Sequence, residues 1–274
     1  MAAGRKPEER SQEFWRDFLT HPDSLMQTGR HVFRRLPSDP RCLLCAAPFT
    51  GIGGGAMRLI GKRQSQSNPT ICTSCENVLI RYHGGAEVPA ALLFADIRGS
   101  TSLAETMTPT EFRALLDRFY TVATTSVFAH GGIVDKFVGD ELVAAFAPMI
   151  GDDYVARAVD TARELLEKTG HAAAEGPWAP TGAGVHAGDV WFGVVGEGAR
   201  VEMTVLGDPV NVTARLAATA AAGEILVTAH AAKAAGLDPS LARRSLELKG
   251  KAEATDVVSL RVGPWPAAST ETPD

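Results

Sequence analysis

The sequence predicts an α+β fold, with a ferredoxin-like domain over residues 89–263 preceded by a small helical module that holds every cysteine. Three observations carry this. From Ala90 the hydrophobic pattern changes period in the order β-α-β-β-α-β. The 4 cysteines all fall in the first 75 residues, as two CxxC pairs. The 274 residues are 45% hydrophobic and 22% charged, ordinary for a globular chain with room for one sizeable domain and a smaller one.

Residues 1–10 are polar and are expected to lack fixed structure. From Ser11 to Leu36 the pattern is helical. Phe14, Trp15, Phe18 and Leu19 fall at helical spacing, as do Leu25, Val32, Phe33 and Leu36, and Pro22 is expected to open the second helix. This first segment, residues 1–36, is expected to cover an apolar surface and to hold or inhibit a dimer. Residues 37–88 form a loop-rich, four-cysteine module whose small core needs a staple. Gly51–Gly55 and the stretch from Lys62 to Asn68 are expected to be loops, and Pro89 marks a boundary.

The larger domain opens with Ala91–Ile97, an apolar run of strand length. Thr110–His130 reads as a long amphipathic helix ended by Gly131-Gly132. Ile133–Val138 and Glu141–Phe146 read as strands joined by a Gly139-Asp140 turn. Asp152–Lys168 is helical, with charges placed as the helix dipole favours. Gly182–His186 and Val190–Val195 are expected to form a hairpin through Gly188-Asp189. Val201–Leu206, the helix Pro209–Ala221, and strands at Ile225–Thr228, Arg244–Leu248 and Asp256–Val262 complete the domain. Residues 264–274 are rich in Pro, Ala and Thr and are expected to be disordered.

The net charge of −5 is unevenly spread: residues 1–88 hold 12 Lys+Arg against 8 Asp+Glu, the remainder 15 against 24. The basic excess is too small to argue for nucleic acid, and Arg58, Lys62 and Arg63 read as a solvated loop. No apolar run reaches the length of a membrane span, and the N-terminus has no apolar signal core, so a cytoplasmic protein is expected. In that setting Cys42, Cys45, Cys72 and Cys75 read as a metal site of zinc-ribbon-like spacing. Four thiolates suit one structural Zn²⁺ in a closed tetrahedral site, and they equally suit an iron–sulfur cluster.

Two carboxylates stand out. Asp96 lies inside an apolar strand, where a charge is costly without a partner, or caps the following helix. Asp140 lies in a Gly-Asp turn, where aspartate is common on conformational grounds alone. In a ferredoxin-like sheet the first strand and the central hairpin are neighbours, so both could share a pair of hard cations, Mg²⁺ or Mn²⁺.

The segment Phe94-Ala95-Asp96-Ile97-Arg98-Gly99-Ser100-Thr101 resembles the first metal motif of the class III adenylyl and guanylyl cyclases. Asp135-Lys136-Phe137-Val138-Gly139-Asp140-Glu141 resembles the second. Gly184-Val185-His186-Ala187-Gly188-Asp189 is similar to a structural stretch of that family. The run from Thr204 to Leu216, TVLGDPVNVTARL, is similar to its substrate and transition-state segment, and Lys249-Gly250 to its phosphate-binding lysine. Five segments in one order make the resemblance specific.

The resemblance implies that ATP is converted to 3′,5′-cyclic AMP and pyrophosphate by a two-metal mechanism. Asp96 and Asp140 would bridge two Mg²⁺ or Mn²⁺ ions, with Ile97 a further metal-binding position. Asn211 would position the ribose and Arg215 would stabilise charge on the α-phosphate. Lys136 and Thr204 would read the base, and Lys249 the terminal phosphates. Lys136 can only donate, which suits adenine N1, while the Thr204 hydroxyl can accept from N6. A hydroxyl can also donate, so a pyrimidine cyclase making cyclic CMP or UMP stays open, as does a catalytically silent nucleotide-binding module. In the family the aspartates and the base-reading set come from different subunits, so a homodimer with two equivalent sites is implied, with ATP as partner and nucleic acid and membrane not.

Overall fold

The computed structural model describes residues 7–21, 25–37, 40–66, 69–196, 202–247 and 254–263. Pro22, Lys249 and the tail from Pro264 lie outside the described residues. Four helices come first: α1 (Pro7–Thr20), α2 (Leu25–Arg35), α3 (Gly51–Leu59) and α4 (Thr73–Arg81). The helical pattern thus begins earlier than expected, at Pro7, because Pro is at home in a first helical turn with Glu8 and Glu9 behind it.

The glycine cluster is helical, not a loop. Gly53 and Gly54 lie where a Cβ would come within 2.4 Å of the Pro37 carbonyl oxygen and of the Phe49 backbone, so close packing and not turn formation explains them. Arg58 accordingly sits on α3. The β structure of the cysteine module is limited, among the described residues, to isolated bridges of Arg41 with Pro48 and Gln64 with Cys72.

The larger domain contains β1 (Gly84–Ile97), α5 (Ser100–Thr106), α6 (Pro109–Ala129), β2 (Ile133–Val138), β3 (Glu141–Phe146), α7 (Tyr154–Lys168), β4 (Thr181–Val195), β5 (Glu202–Leu206), α8 (Asp208–Thr219), β6 (Glu224–Thr228), α9 (Ala229–Ala234), β7 (Arg243–Leu246) and β8 (Thr255–Arg261). The sheet runs β2-β3-β1-β4-β6-β8-β7, with β5 paired to β4. Its first four strands have the order of a βαββαβ unit, the ferredoxin-like arrangement that the sequence predicts.

Two expectations fail here. The hairpin at Gly188-Asp189 does not form: β4 is one strand of 15 residues, because β1 offers an unbroken partner along its whole length, with Ala90 opposite Gly188 and Pro89 opposite Asp189. Gly188 is a packing position, where a Cβ would come within 2.9 Å of Pro209. β1 also starts at Gly84, so Pro89 sits inside a strand. It is tolerated there because β3 first pairs at Ala91, leaving that side of β1 an edge at Pro89.

The sheet has a different cover on each face. One face packs on α6, α7 and α9 through Leu93, Phe119, Phe146 and Leu165. The other joins Leu92, Phe94 and Phe192 to Trp15, Phe18 and Leu19 of α1 and to the four cysteines in a single buried cluster. Trp15 is 1% exposed and its Nε1 donates to the Tyr82 carbonyl at 2.7 Å. Replacing it, Trp15→Ala, should lower the unfolding free energy by about 3–5 kcal/mol in denaturant titrations. A loss below about 1 kcal/mol would mean that α1 does not dock on the sheet in solution.

Candidate active site

Asp96 stands at the C-terminal end of β1 and pairs in register with Glu141, the residue after the Gly139-Asp140 turn. The sheet therefore brings the two predicted metal residues to one edge. Gly139 takes φ +61°, the left-handed conformation that the tight turn needs. Tyr120 of α6 holds the turn from behind, stacking on Phe137 at 3.9 Å and donating its hydroxyl to the Gly139 carbonyl.

Asp96 does not cap α5. The cap position is Gly99, and no side chain bonds the first turn. Asp96 instead meets the Arg98 guanidinium, and its Oδ1 is buried without a well-formed hydrogen bond. Arg98 also donates to the Ala218 carbonyl at 2.9 Å, tying β1 to the end of α8. Burial and the neighbouring Asp140 both raise the Glu141 carboxyl above its ordinary range. An edge that gathers Asp96, Asp140 and Glu141 offers the hard carboxylate oxygens that suit divalent cations. The buried Ile97 follows directly and leads into the Gly99 turn.

Lys136 and Thr204 lie on different strands and converge on one carboxylate. The Asp135 Oδ2 accepts from Thr204 Oγ1 at 3.3 Å and lies 3.9 Å from Lys136 Nζ. Lys136 also pairs with Glu202. The Asp135 side chain is 1% exposed, and burial pushes its carboxyl up to about 6 against the pull of Lys136 and Thr204. Beside this group opens a cavity of about 810 Å³, walled on one side by β2 and α6 and on the other by Arg41, Leu43, Phe49 and Ile71 of the cysteine module.

Asn211 and Arg215 project from α8 one turn apart, Asn211 exposed and Arg215 half-buried. Neither side chain makes a hydrogen bond or ion pair among the described residues. Lys249 lies outside the described residues. Within the chain, then, the aspartates form one group and Lys136 with Thr204 another, while α8 presents a third.

The four cysteine sulfurs lie within 4.8 Å of one another, all buried, with Cys45 Sγ and Cys72 Sγ 3.7 Å apart. Ligands about 2.3 Å from a tetrahedral zinc would be separated by about 3.8 Å, whereas a disulfide would need about 2.05 Å. The Cys72 backbone N–H donates to Cys42 Sγ at 3.3 Å, and that of Cys45 at 3.5 Å, as suits sulfur carrying negative charge. The buried Arg30 guanidinium bridges the Leu44 carbonyl, inside the first CxxC, to the Gly132 carbonyl just before β2.

Sequence reasoning missed Arg98, Tyr120, Asp135, Glu202 and Arg30. Asp135 and Lys136 carried a signal, since adjacent charges cannot share a face of a regular strand. Tyr120 and Arg30 bond to backbone carbonyls of distant segments, as Arg98 does at Ala218 besides its pair with Asp96, and such partners leave no mark on residue spacing.

Comparison with known proteins agrees with this geometry. The family model described as adenylate and guanylate cyclase catalytic domain matches residues 86–258. The chain belongs to this family, and its larger domain is a class III nucleotide cyclase domain. An uncharacterised Mycobacterium tuberculosis protein, Rv1320c, is 42% identical over 134 residues, 48% of this chain and 23% of its own length. A second from the same organism, Rv1318c, is 37% identical over 155 residues, 56% of this chain and 28% of its own. The chain thus spans about a quarter of the curated relatives it matches. Among solved structures, the guanylyl cyclase Cya2 superposes with a TM-score of 0.59 at 27% identity, covering 69% of this chain and 97% of its own. The adenylyl cyclase CyaB from P. aeruginosa shares the fold, with a TM-score of 0.55 at 23% identity over 67% of this chain and 98% of its own. Among the described residues no helix is long and apolar enough to cross a membrane.

The titration of Asp135 has a consequence for stability. Its folded value, about 6, lies above the ordinary 3.8, so the fold disfavours the charged form. Stability linked to the neutral carboxyl is complete below pH 3.8 and is lost as pH rises through 6. Asp135→Asn should therefore gain stability over the parent on going from pH 4 to pH 8, by up to about 3 kcal/mol. A stability difference independent of pH in thermal melts would contradict this.

Proposed function

We propose that the protein is an adenylate cyclase that converts ATP to 3′,5′-cyclic AMP and pyrophosphate in intracellular signalling. The observation that carries this reading is the convergence of Lys136 and Thr204 on Asp135, which sets a donor close to a hydroxyl beside a cavity that Lys136 and Asp135 line. Adenine presents an acceptor at N1 and a donor at N6, and Lys136 is suited to the first and Thr204 to the second. Guanine would set its N1–H against the lysine donor.

Asp96 and Asp140, with Ile97 beside them, would hold two Mg²⁺ or Mn²⁺ ions, which lower the pKa of the ribose 3′-hydroxyl and neutralise the leaving phosphates. Arg98 would have to release Asp96 as the cations arrive, keeping its bonds to the end of α8. Asn211 orients the ribose so that the 3′-oxygen stands in line with the α-phosphate. Arg215 places a planar fork of donors where charge grows in the transition state. Lys249 would bind the terminal phosphates.

The base-reading pair, Asn211 and Arg215 serve the aspartates of a partner subunit in this reading, so the enzyme is a homodimer with two equivalent sites. The cysteines hold one Zn²⁺, which completes a module that shares its core with the catalytic sheet. Free thiols and an ATP substrate both suit the cytoplasm.

The test is turnover with Mn²⁺ and separately ATP, GTP, CTP and UTP, with cyclic products read by mass spectrometry. Cyclic AMP should form from ATP, Asp140→Ala should abolish it, and Arg215→Ala should lower kcat about 100-fold or more. Cyclic GMP, CMP or UMP as main product would overturn the base assignment. Metal analysis should return one zinc per chain, with Cys72→Ser losing it and melting at a lower temperature. Iron with acid-labile sulfide in place of zinc would replace the Zn²⁺ assignment.

A further inference from the structure

Asp135 follows no rule of a regular strand. The register of β2 on β3 steps from Val134 opposite Ala144 to Lys136 opposite Val143, so Asp135 is the extra residue of a β-bulge. A bulge re-aims side chains. Here it turns two consecutive residues, which would otherwise face opposite sides, toward the same stretch of β5. Glu202 and Thr204, two residues apart on β5, share a face: Lys136 meets the first and Asp135 the second.

We infer that Asp135 is a positioning residue that decides base specificity by taking the proton of the Thr204 hydroxyl, so that Thr204 can offer the substrate base only an acceptor. This rests on the adenylate reading of Lys136 and Thr204 and goes beyond it by naming what removes the ambiguity of a hydroxyl. An ionised carboxylate can only accept. With its hydrogen directed at Asp135 Oδ2, Thr204 Oγ1 has only lone pairs left to offer a base. Those lone pairs attract an exocyclic amine, as on adenine or cytosine, and repel the carbonyl oxygen of guanine or uracil. A free threonine hydroxyl would rotate and donate to that oxygen, so without Asp135 the discrimination at this position is lost.

The arrangement around Asp135 fits such a role. Its side chain is 1% exposed and its Oδ1 has no hydrogen-bond partner among the described residues, a costly placement for a merely structural carboxylate. The charged groups facing it are Lys136 on its own strand and Glu202 on β5. Because the carboxyl titrates near 6, protonation at lower pH would turn it into a donor and release Thr204.

The experiment compares the full chain with Asp135→Leu and Asp135→Ala, neither of which can accept from Thr204, in two readouts. The first is kcat/KM for ATP and GTP with Mn²⁺. The second is the binding ratio of 3′-deoxy-ATP to 3′-deoxy-GTP, which cannot cyclise and so report on the base alone. The parent should select adenine in both, and both variants should lower the adenine-to-guanine ratio about tenfold or more. The parent's binding ratio should also fall below about pH 6, while that of the variants stays flat. Thr204→Val added to Asp135→Ala should cause no further loss, since the two residues act through one hydrogen bond. If the parent selects adenine and the variants keep its ratio, the inference is overturned. If the parent forms no cyclic AMP yet its binding selectivity drops in the variants, the adenylate cyclase reading falls while the role of Asp135 stands. Preferential binding of the guanine analogue by the parent overturns both.

Discussion

Fourteen residues of β1 lie against β4 without a break, from Gly84 opposite Val194 to Ile97 opposite Thr181. A slip of one residue in this ladder would exchange the two faces of the central strand. Leu92 and Phe94 would then lose the module side, Leu93 and Ile97 the helical side, and Asp96 would turn into a different environment. The register therefore sets more than packing. It delivers Asp96 to the edge where β3 supplies Asp140 and Glu141. It also delivers the second half of β4 to β5, and with it Thr204.

The N-terminal module depends on the same sheet. Its helices and cysteines bury apolar area against β1, β3 and β4, within one cluster that contains all four sulfurs. Arg30 fastens the cysteine loop to the residue just before β2. Burial lowers that guanidinium to about 10, which still leaves it charged at neutral pH. Burial likewise holds the Cys42 thiol well above the ordinary thiol range, while hydrogen bonding with Cys42 draws the Cys45 and Cys72 thiols below it. A divalent cation on four thiolates would carry excess negative charge, and the thiolates' attraction for Arg30 and Lys62 runs in the compensating direction. The module and the catalytic sheet are thus joined by apolar packing and by one buried cation, and both joints reach the strand that carries Lys136.

The charged side chains of the catalytic face are already engaged within the chain. Arg98 neutralises Asp96, Glu202 holds Lys136, and Asp135 holds Thr204. Each contact prevents a buried or half-buried polar group from standing alone, a cost of about 1–3 kcal/mol per group. In the proposed reading each also restrains a side chain that would meet a nucleotide or cation. Asn211 and Arg215 on α8 differ, with no such partner among the described residues. In the proposed homodimer they would meet the aspartates of the partner subunit.

Much of this was legible in the residues. Strand Ile133–Val138, strand Glu141–Phe146 and the Gly139-Asp140 turn follow from short periodic runs bounded by glycine, and stand as expected. The paired CxxC spacing announced a four-sulfur cluster because ligand chemistry is written into residue type and local spacing. Where the reading failed, the cause was a partner distant in sequence. Gly188-Asp189 has turn composition, yet β1 supplies hydrogen bonds along the whole of β4 and keeps the chain extended. The glycines of α3 look like a loop, yet the Pro37 and Phe49 backbones leave no room for side chains there. The sequence by itself determined the fold class, the cysteine tetrad and the identities of the charged groups, since these depend on local periodicity and side-chain chemistry. The tertiary structure alone decided that Asp135 meets Thr204, that Arg98 reaches the Ala218 carbonyl and that Arg30 spans to Gly132. Those contacts join residues 69, 120 and 102 positions apart, and only register, a bulge and burial select them over every alternative partner.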